Sequence, residues 1–454
     1  MSASARDGGR PTGERGRTPA AHGGRVSGAI ANVRARRVWD SRGRPTLEAE
    51  VTLDGGAVGR AMAPAGASRG SREAIDLRDG GARFGGMDVT QAIANVDGAV
   101  QRALVGRDAS DQAGIDAALI ALDGTPNKAT LGGNATVAVS LAVAHAAAAA
   151  RGWPLWRYLA GPNPVSLPLP EIQIFGGGAH AGRRIDIQDL MVMPVAATSF
   201  AQALEMTAEV YRAAGELMRD AGLLAGVADE GGWWPAFDTN EKALAMLVRA
   251  IERAGFVPGD EVAISLDIAA SEFGHDGRYR LGLERRELDR DGMIDLLLGW
   301  LDRYPIASIE DPLAEDDRDG WIAFAHAAGT RVQIIGDDYL TTSAERVAQA
   351  ATDRACNAVL IKPNQAGTLT ETLAALAAGK AAGFATIVSA RSGETEDTSI
   401  VHLAVGWNAG QLKVGSFARS ERMAKWNEAL RIEEGLGGAA RFAGRSTLAP
   451  VGKT

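Results

Sequence analysis

The chain has 454 residues, of which 46% are hydrophobic, with a formal net charge of −8 and a pI near 5.5. This length exceeds that of one ordinary domain and the apolar content is ample for a large core, so we expect two domains. The acidic balance argues against general affinity for nucleic acid. A single cysteine, Cys356, excludes an internal disulfide framework, so we expect a reducing, cytoplasmic location.

Residues 1–28 are rich in Gly, Arg, Ser and Pro and lack periodicity, so we expect a disordered N-terminal tail. Residues 29–163 begin with a β-hairpin pattern, "LEAEVTLD" and "AVGRAMA" around a "GG" turn, and continue with three helical segments. The last segment contains "ATVAVSLAVAHAAAAA" (135–150), which is too short and too weakly apolar to span a bilayer. We therefore predict a small α+β domain over residues 29–163, with a buried helix rather than a membrane segment.

Short apolar runs and amphipathic helical segments alternate from residue 164 to residue 454. The runs include "VAISLD", "VQIIGDD" and "AVLIKPN". This alternation predicts parallel strands joined by helices. Such a series closes most readily as an α/β barrel, although a doubly wound sheet has the same local pattern.

Charged side chains stand where these apolar runs stop. Because the carboxyl ends of parallel strands face one side of a barrel, we expect six such residues to share one mouth. The first three are carboxylates and the last three are cations, an order that solvation alone does not explain. In chain order they are Asp267, Glu310, Asp337, Lys362, Arg391 and Lys413.

The chemistry of these residues predicts a metal beside an anion-binding site. Three converging carboxylates repel one another unless a cation lies among them, and oxygen-only ligands favour Mg²⁺. Arg391 and the hydroxyl of Ser392 suit a phosphate group, and Lys413 suits a carboxylate. Lys362 lies between the two groups, where we expect nearby cations to lower its pKa and make it a base. The predicted reaction is removal of a proton α to a carboxylate.

A series of motifs resembles one known family. The chain is similar to enolase from about Ile30 to its end. This resemblance implies an enolase-type α/β barrel with a smaller α+β N-terminal domain, Mg²⁺ as cofactor, 2-phosphoglycerate as substrate, and a homodimer or higher assembly; a lysine base with Mg²⁺ is a known pattern of this superfamily. The motifs are "WDSRGRPTLEAEV", "EAIDLRDG", "LDGTPNK", "DEGGWWP", "LDIAASEF", "SIEDPLAEDD", "GDDYLTT", "IKPNQAGTLTET", "RSGETEDT" and "RIEEGLG".

The resemblance also implies a role for individual residues. It places a tightly bound metal on Asp267, Glu310 and Asp337, with Ser68 reaching a second metal, and it makes Lys362 the base. The other catalytic groups that it implies are Glu230, Asp189 and His180. For the substrate it implies Arg391, Ser392, Lys413 and Gln188, with Ser68 on the closing loop. We add Arg69 and Ala390, which depart from the family's motifs, as predicted substrate-binding positions.

This chain departs from the usual enolase motifs beside the substrate. Ala390 stands in place of an active-site histidine, and Asp189 in place of a catalytic glutamate. Loss of a proton-transfer partner costs roughly 10²–10⁴-fold, and a misplacement of ~1 Å on the order of 10²-fold. Ala390 would also leave space beside the phosphate for a second substrate. The arginines that could bind such a substrate, if it is anionic, are Arg69, Arg183 and Arg184.

These departures favour a divergent enolase that binds 2-phosphoglycerate, forms an enolpyruvate product and joins it to a second phosphorus substrate. The enolase-like carboxyphosphonoenolpyruvate synthases of phosphinothricin-type biosynthesis, which use a nucleotide-activated phosphonate, fit this description. Two alternatives stay open. One is an ordinary phosphopyruvate hydratase of glycolysis, and the other is a non-catalytic binding protein with the enolase fold.

Overall fold

The computed structural model describes residues 28–67, 69–234, 236–329 and 331–449. The predicted N-terminal tail therefore lies outside the described residues, except for Gly28, and so does Ser68. The division of the chain into domains at residues 163 and 164 stays a prediction.

An antiparallel three-stranded sheet opens the fold. Strands β1 (Ile30–Trp39), β2 (Pro45–Leu53) and β3 (Val58–Met62) pair in sequence order, and β2 and β3 form the expected hairpin. Alternate residues of β3 are buried, which is the pattern of a strand with one face on a core. The helices that follow are α1 (Thr90–Asn95), α2 (Gln101–Leu104), α3 (Gln112–Asp123), α4 (Gly133–Ala150) and α5 (Leu155–Ala160).

The alanine-rich helix α4 packs against strands β2 and β3. The expectation that this segment is too short and too weakly apolar to span a bilayer is wrong, because the helix has 18 residues and its length and composition would allow it to cross a membrane. However, 83% of it is buried inside the fold, as in a core helix. Gly59 of β3 makes the close packing possible, because an added Cβ would lie 2.1 Å from the carbonyl oxygen of Ala142. Helix α4 is therefore the core element of the N-terminal region.

The rest of the chain builds a closed barrel of eight strands, which confirms the predicted fold class. The barrel strands are buried over almost their whole length, as expected for strands covered on both faces. The barrel strands are β4 (Leu169–Gly176), β5 (Asp189–Met193), β6 (Ala263–Asp267), β10 (Ile306–Glu310), β11 (Gln333–Gly336), β12 (Ala358–Ile361), β13 (Ala385–Ser389) and β14 (Gly410–Ser416). Between β6 and β10 the chain forms a small separate sheet of three strands, β7 (Gly274–His275), β8 (Arg278–Leu281) and β9 (Arg286–Asp289).

Helices surround the barrel and join its strands. Several begin at a side chain that caps the first turn; Ser199, Thr239 and Thr368 each accept a backbone N–H three residues later. The helices are α6 (Phe200–Asp220), α7 (Asn240–Arg253), α8 (Arg290–Arg303), α9 (Arg318–Ala328), α10 (Ala344–Asp353), α11 (Pro363–Ala366), α12 (Leu369–Ala381), α13 (Ser399–Gly406) and α14 (Ser420–Leu436).

One strand corrects the expectation of an all-parallel barrel. Strand β5 runs antiparallel to both of its neighbours, β4 and β6, while the other neighbouring pairs are parallel. Asp189, the first residue of β5, therefore pairs with Asp267, the last residue of β6. The reversed direction brings the beginning of β5 to the mouth where the other strands end.

Candidate active site

The six predicted strand-end residues lie at one end of the barrel, and all are buried. Asp267 and Glu310 are the last residues of β6 and β10, and Asp337 and Lys362 directly follow β11 and β12. Lys413 is an exception, because it lies inside β14 rather than at its end. Its long side chain still carries the ammonium group into the mouth.

Lys413 contacts three carboxylates at the mouth of the barrel. Its Nζ lies 2.9 Å from Asp267 Oδ2, 2.8 Å from Glu310 Oε2 and 3.4 Å from Asp189 Oδ2. Burial acts to lower the pKa of Lys413, but these carboxylates outweigh it and raise the pKa well above the usual value. From the sequence we expected Lys413 to bind a substrate carboxylate beside the metal site. In the structure its ammonium group lies between Asp267 and Glu310, two of the carboxylates predicted to hold the metal.

The carboxylate set fits a hard cation. Burial and the nearby Asp267 raise the pKa of Glu310 well above its ordinary value, and Glu310 Oε1 has no hydrogen-bond partner among the described residues. The donors are oxygens only, and the ammonium group of Lys413 already holds a positive charge at 2.8–2.9 Å from Asp267 and Glu310. Oxygen-only donors suit a hard divalent cation. Within the described part of the chain, however, the groups of three side chains that lie close enough to share an ion include Asp337 but neither Asp267 nor Glu310.

Asp337 belongs to a neighbouring acidic group. Oxygen atoms of Asp311, Asp337 and Asp338 approach one another within 4.8 Å, close enough to hold a metal ion. The Asp311 carboxylate accepts the backbone N–H groups of Asp337 and Asp338, each at 2.8 Å, so it fixes the turn that presents Asp337. Asp337 Oδ1 also accepts a hydrogen bond of 2.8 Å from Gln365.

Lys362 forms a close ion pair with Asp337. Burial acts to lower the pKa of Lys362, yet Asp337 and Glu310 outweigh burial and the neighbouring cations, so the pKa is raised. In this arrangement of charges, the carboxylates closest to Lys362 attract its proton more than Arg391 and Lys413 repel it. The lowered pKa expected for a lysine beside Mg²⁺ stays a prediction.

Arg391 and Ser392 adjoin the loop from the N-terminal region. Arg391 binds both oxygens of Glu73 at 2.8 and 3.1 Å, and Ser392 Oγ accepts the backbone N–H of Ala67 at 2.6 Å. Arg42 donates a further bond of 3.3 Å to Ser392 Oγ. A phosphate at this position would compete with Glu73 for the guanidinium group.

A second cluster consists of His180, Asp189 and Glu230, and Lys413 contacts it through Asp189. His180 Nδ1 lies 3.5 Å from Asp189 Oδ1 and 3.8 Å from Glu230 Oε1. Burial acts to lower the pKa of His180, but the two carboxylates raise it; burial raises the pKa of Glu230. The pKa of Asp189 is lowered, because Lys413 and His180 outweigh its burial. This cluster can therefore hold and pass a proton.

Many of these groups line one small cavity of about 20 Å³. Gln188, whose amide donates to Asp267 Oδ2 at 3.1 Å, and Ala390 also line it. The lining residues are Gly66, His180, Gln188, Asp189, Glu230, Asp267, Asp337, Lys362, Ser389, Ala390, Arg391, Ser392, Lys413 and Val414.

The arginines considered for a second substrate do not line this cavity. Arg69 is half exposed and lies 4.0 Å from Asp76. Arg183 pairs with Glu272 at 2.8 Å on the surface, and the guanidinium of Arg184 lies 5.1 Å from the ring centre of Trp234. Their expected contact with a substrate stays a prediction.

Several residues of the site were not found from the sequence. Glu73 and Gln365 lie within the motifs "EAIDLRDG" and "IKPNQAGTLTET". Neither residue directly follows a strand, so a search for charged residues at strand ends does not identify them. Gln173 lies inside β4 and donates to Asp189. Its signal was a second polar residue, after Glu171, in the mainly apolar run "LPEIQIF".

Two family models match this chain. Residues 30–159 match the model described as Enolase, N-terminal domain. Residues 164–451 match the model described as Enolase, C-terminal TIM barrel domain. Together the two matches cover nearly the whole sequence, and the resemblance inferred from the motifs is confirmed.

Proposed function

The chain belongs to the enolase family, and on that premise we propose that it binds 2-phosphoglycerate with Mg²⁺ and removes the proton from its α-carbon. The observation that supports this proposal is the gathering of buried carboxylates and buried cations around one cavity. Burying a charged group costs several kcal/mol unless it is paired, so gathering buried charges does not by itself stabilise a fold. A binding or catalytic role accounts for it.

Asp267, Glu310 and Asp337 are the residues that would hold the metal. Bound there, Mg²⁺ would supply positive charge to stabilise the negative charge that develops on the substrate carboxylate. Lys413 would contribute a second positive charge beside the same carboxylate, since its Nζ lies within 3 Å of Asp267 and Glu310.

Lys362 is the proposed base for the α-proton. It must be neutral to accept a proton, whereas its ion pair with Asp337 favours the charged form. Compensation of the Asp337 charge by a cation would remove the main force that raises this pKa. Burial and the neighbouring Arg391 and Lys413 would then lower the pKa of Lys362.

Arg391 and Ser392 are proposed to bind the phosphate. The guanidinium of Arg391 can donate two parallel hydrogen bonds to phosphate oxygens, as it now does to Glu73. The loop around Ala67 reaches Ser392 from the N-terminal region, so it can exclude water from the bound substrate.

The leaving hydroxyl group of 2-phosphoglycerate would face His180, Asp189 and Glu230. Glu230 has a raised pKa, so it can hold a proton and donate it as the hydroxyl departs as water. The close grouping of these three residues favours ordinary dehydration to phosphoenolpyruvate as the second candidate function.

We place transfer to a second phosphorus substrate first, because Ala390, which lines the cavity together with Arg391, supplies no proton donor. A nucleotide-activated phosphonate is the proposed class of this substrate. A cytoplasmic location and a homodimer are kept as predictions.

The test is to incubate the purified protein with Mg²⁺ and 2-phosphoglycerate and to follow phosphoenolpyruvate by ultraviolet absorbance and phosphorus NMR. Transfer predicts slow phosphoenolpyruvate formation. When a nucleotide-activated phosphonate is added, it predicts release of the nucleotide and a new product that keeps the carbon–phosphorus bond of the phosphonate. Rapid phosphoenolpyruvate formation without any second substrate would establish the hydratase instead. Failure to bind either Mg²⁺ or 2-phosphoglycerate would favour a non-catalytic protein.

A further inference from the structure

The side chain of Gln173 joins two parts of the proton-transfer cluster. Gln173 lies in β4 and is fully buried. Its Nε2 donates to Asp189 Oδ1, and its Oε1 accepts the backbone N–H of Gly232 at 2.8 Å. Because one end of the amide donates and the other accepts, its orientation is fixed.

These two bonds close a ring of contacts around the cluster. The backbone N–H of Asp229 donates to the carbonyl oxygen of His180 at 3.1 Å, in the loop that carries Glu230. His180 Nδ1 in turn lies 3.5 Å from Asp189 Oδ1. Gln173 therefore connects Asp189 to the loop of Glu230 from one side, while His180 connects them from the other.

Two glycines leave room for this amide. A Cβ on Gly232 would lie 2.4 Å from Gln173 Oε1, and a Cβ on Gly176 would lie 3.1 Å from Gln173 Nε2. A Cβ on Gly176 would also lie 2.6 Å from the Cβ of Ala228. The backbone therefore packs closely around the carboxamide on both sides.

The two oxygens of the Asp189 carboxylate have different partners. Oδ1 is anchored by Gln173, while Oδ2 accepts no hydrogen bond within the described part of the chain. Oδ2 lies 3.4 Å from Lys413 Nζ, and both residues line the cavity. The anchored oxygen thus leaves the other one available to the reacting groups.

We propose that Gln173 is a positioning residue that presents Asp189 Oδ2 to the substrate and holds the Glu230 loop at the distance needed for proton transfer. This inference rests on the proposed function, in which Asp189 and Glu230 face the leaving hydroxyl group. Gln173 itself does not line the cavity and acts only through Asp189 and Gly232.

The first test compares Gln173→Leu with Gln333→Leu. Gln333 is a matched control, because it is equally buried in β11 and bonds Ser308 Oγ at 3.0 Å and Gln411 Oε1 at 2.9 Å, away from the cavity. We expect Gln173→Leu to lower kcat with 2-phosphoglycerate by roughly 10–100-fold, since a shift of about 1 Å has effects of this size. We expect its KM and its Mg²⁺ affinity to change less than about threefold, and Gln333→Leu to keep kcat near that of the wild type.

The second test uses Gln173→Glu, which is nearly the same shape. The carboxylate keeps the acceptor for Gly232 but can donate to Asp189 only when it is protonated. The titratable groups around it are Asp189, His180, Glu230 and Lys413. We expect the activity of Gln173→Glu, relative to the wild type, to rise as the pH is lowered, and that of Gln173→Leu to show no such rise. A purely structural role would not produce this pH profile.

A crystal structure of substrate-free Gln173→Leu separates this inference from the proposed function. The inference predicts that the Asp189 carboxylate rotates and that the loop of Glu230 moves away from β4. An unmoved Asp189, or a kcat that falls no more than in Gln333→Leu, would overturn it. If the wild-type protein does not turn over 2-phosphoglycerate, the proposed function fails, and the position of Asp189 alone decides the role of Gln173.

Discussion

At the scale of single residues, the site is governed by competition for carboxylate oxygens. The ammonium group of Lys413 contacts Asp267, Glu310 and Asp189, and that of Lys362 contacts Asp337. A divalent cation has to compete with these lysines for the same oxygens. Metal binding and lysine protonation are therefore expected to oppose each other.

Lys413→Met tests this competition. Removing the ammonium leaves the carboxylates of Asp267 and Glu310 uncompensated, so we expect Mg²⁺ to bind about tenfold more tightly in calorimetric titration, while affinity for 2-phosphoglycerate falls. Lys380→Met is the control, because Lys380 bonds the carbonyl oxygen of Trp407 outside the cavity. Unchanged or weaker Mg²⁺ binding in Lys413→Met would show that the lysine does not compete with the metal.

Ala390→His combined with Asp189→Glu tests which residues set the product. The two changes restore a proton-transfer partner and lengthen a carboxylate by one methylene, so we expect phosphoenolpyruvate formation from 2-phosphoglycerate to increase by at least about tenfold. Each single variant serves as a control for the pair. No gain in the double variant would indicate that the surrounding loops, rather than these two positions, determine the reaction.

At the scale of secondary-structure elements, the N-terminal region depends on the close approach of β3 to α4. A Cβ on Gly59 would lie 2.1 Å from Ala142 O and 2.2 Å from Ala146 N, both of them backbone atoms. Backbone cannot rotate away as a flexible side chain would. The strand and helix would have to separate to admit even one methyl group.

Gly59→Ala is therefore expected to lower the free energy of unfolding by at least about 3 kcal/mol, as overpacking against rigid neighbours does. Gly435→Ala is the matched control, since Gly435 is an exposed residue of α14 with no neighbour within 4 Å of an added Cβ. We expect Gly435→Ala to be neutral or to stabilise by up to about 1 kcal/mol. Denaturant unfolding of the two variants measures both values, and equal stability would contradict the packing argument.

The sequence predicted best the charged residues that stand at the ends of strands. Asp267, Glu310, Asp337 and Lys362 end or directly follow their strands, as the pattern of apolar runs indicated. The reversal of β5 was missed, because the direction of a strand is set by its connections and leaves no mark in its hydrophobic pattern. Glu73 and Gln365 were missed for a related reason. Glu73 reaches Arg391 only after the N-terminal region packs on the barrel, and Gln365 reaches Asp337 only after the neighbouring strands β11 and β12 pair.

At the scale of the whole molecule, two histidines meet where α4 faces the barrel helix α13; His145 is partly buried and His402 is buried. His145 Nε2 bonds Ser399 Oγ at 2.8 Å, and its ring centre lies 6.3 Å from that of His402. Burial lowers the pKa of His402 to about 4, although Glu428 at 3.5 Å opposes the shift. Both rings therefore favour the neutral form in the folded protein.

This pKa predicts a loss of stability in mild acid. Because His402 takes up a proton near pH 6.5 when unfolded but only near pH 4 when folded, the unfolded state binds more protons between these values. The contribution of His402 is thus fully present above about pH 6.5, and on the order of 3 kcal/mol is lost as the pH falls to about 4. His402→Leu should show a flatter dependence of unfolding free energy on pH over this window. Parallel curves for the two proteins would contradict the assignment.

The most direct test of the account is exchange of the α-proton of 2-phosphoglycerate in D₂O, followed by proton NMR in the presence of Mg²⁺. This measurement reports proton removal whatever becomes of the substrate afterwards. We expect the wild-type protein to introduce deuterium at the α-carbon, and Lys362→Ala to bind 2-phosphoglycerate but to exchange at least about 10³-fold more slowly. Exchange at an undiminished rate in Lys362→Ala, or none in a wild-type protein that binds both Mg²⁺ and 2-phosphoglycerate, would contradict the assignment of Lys362 as the base.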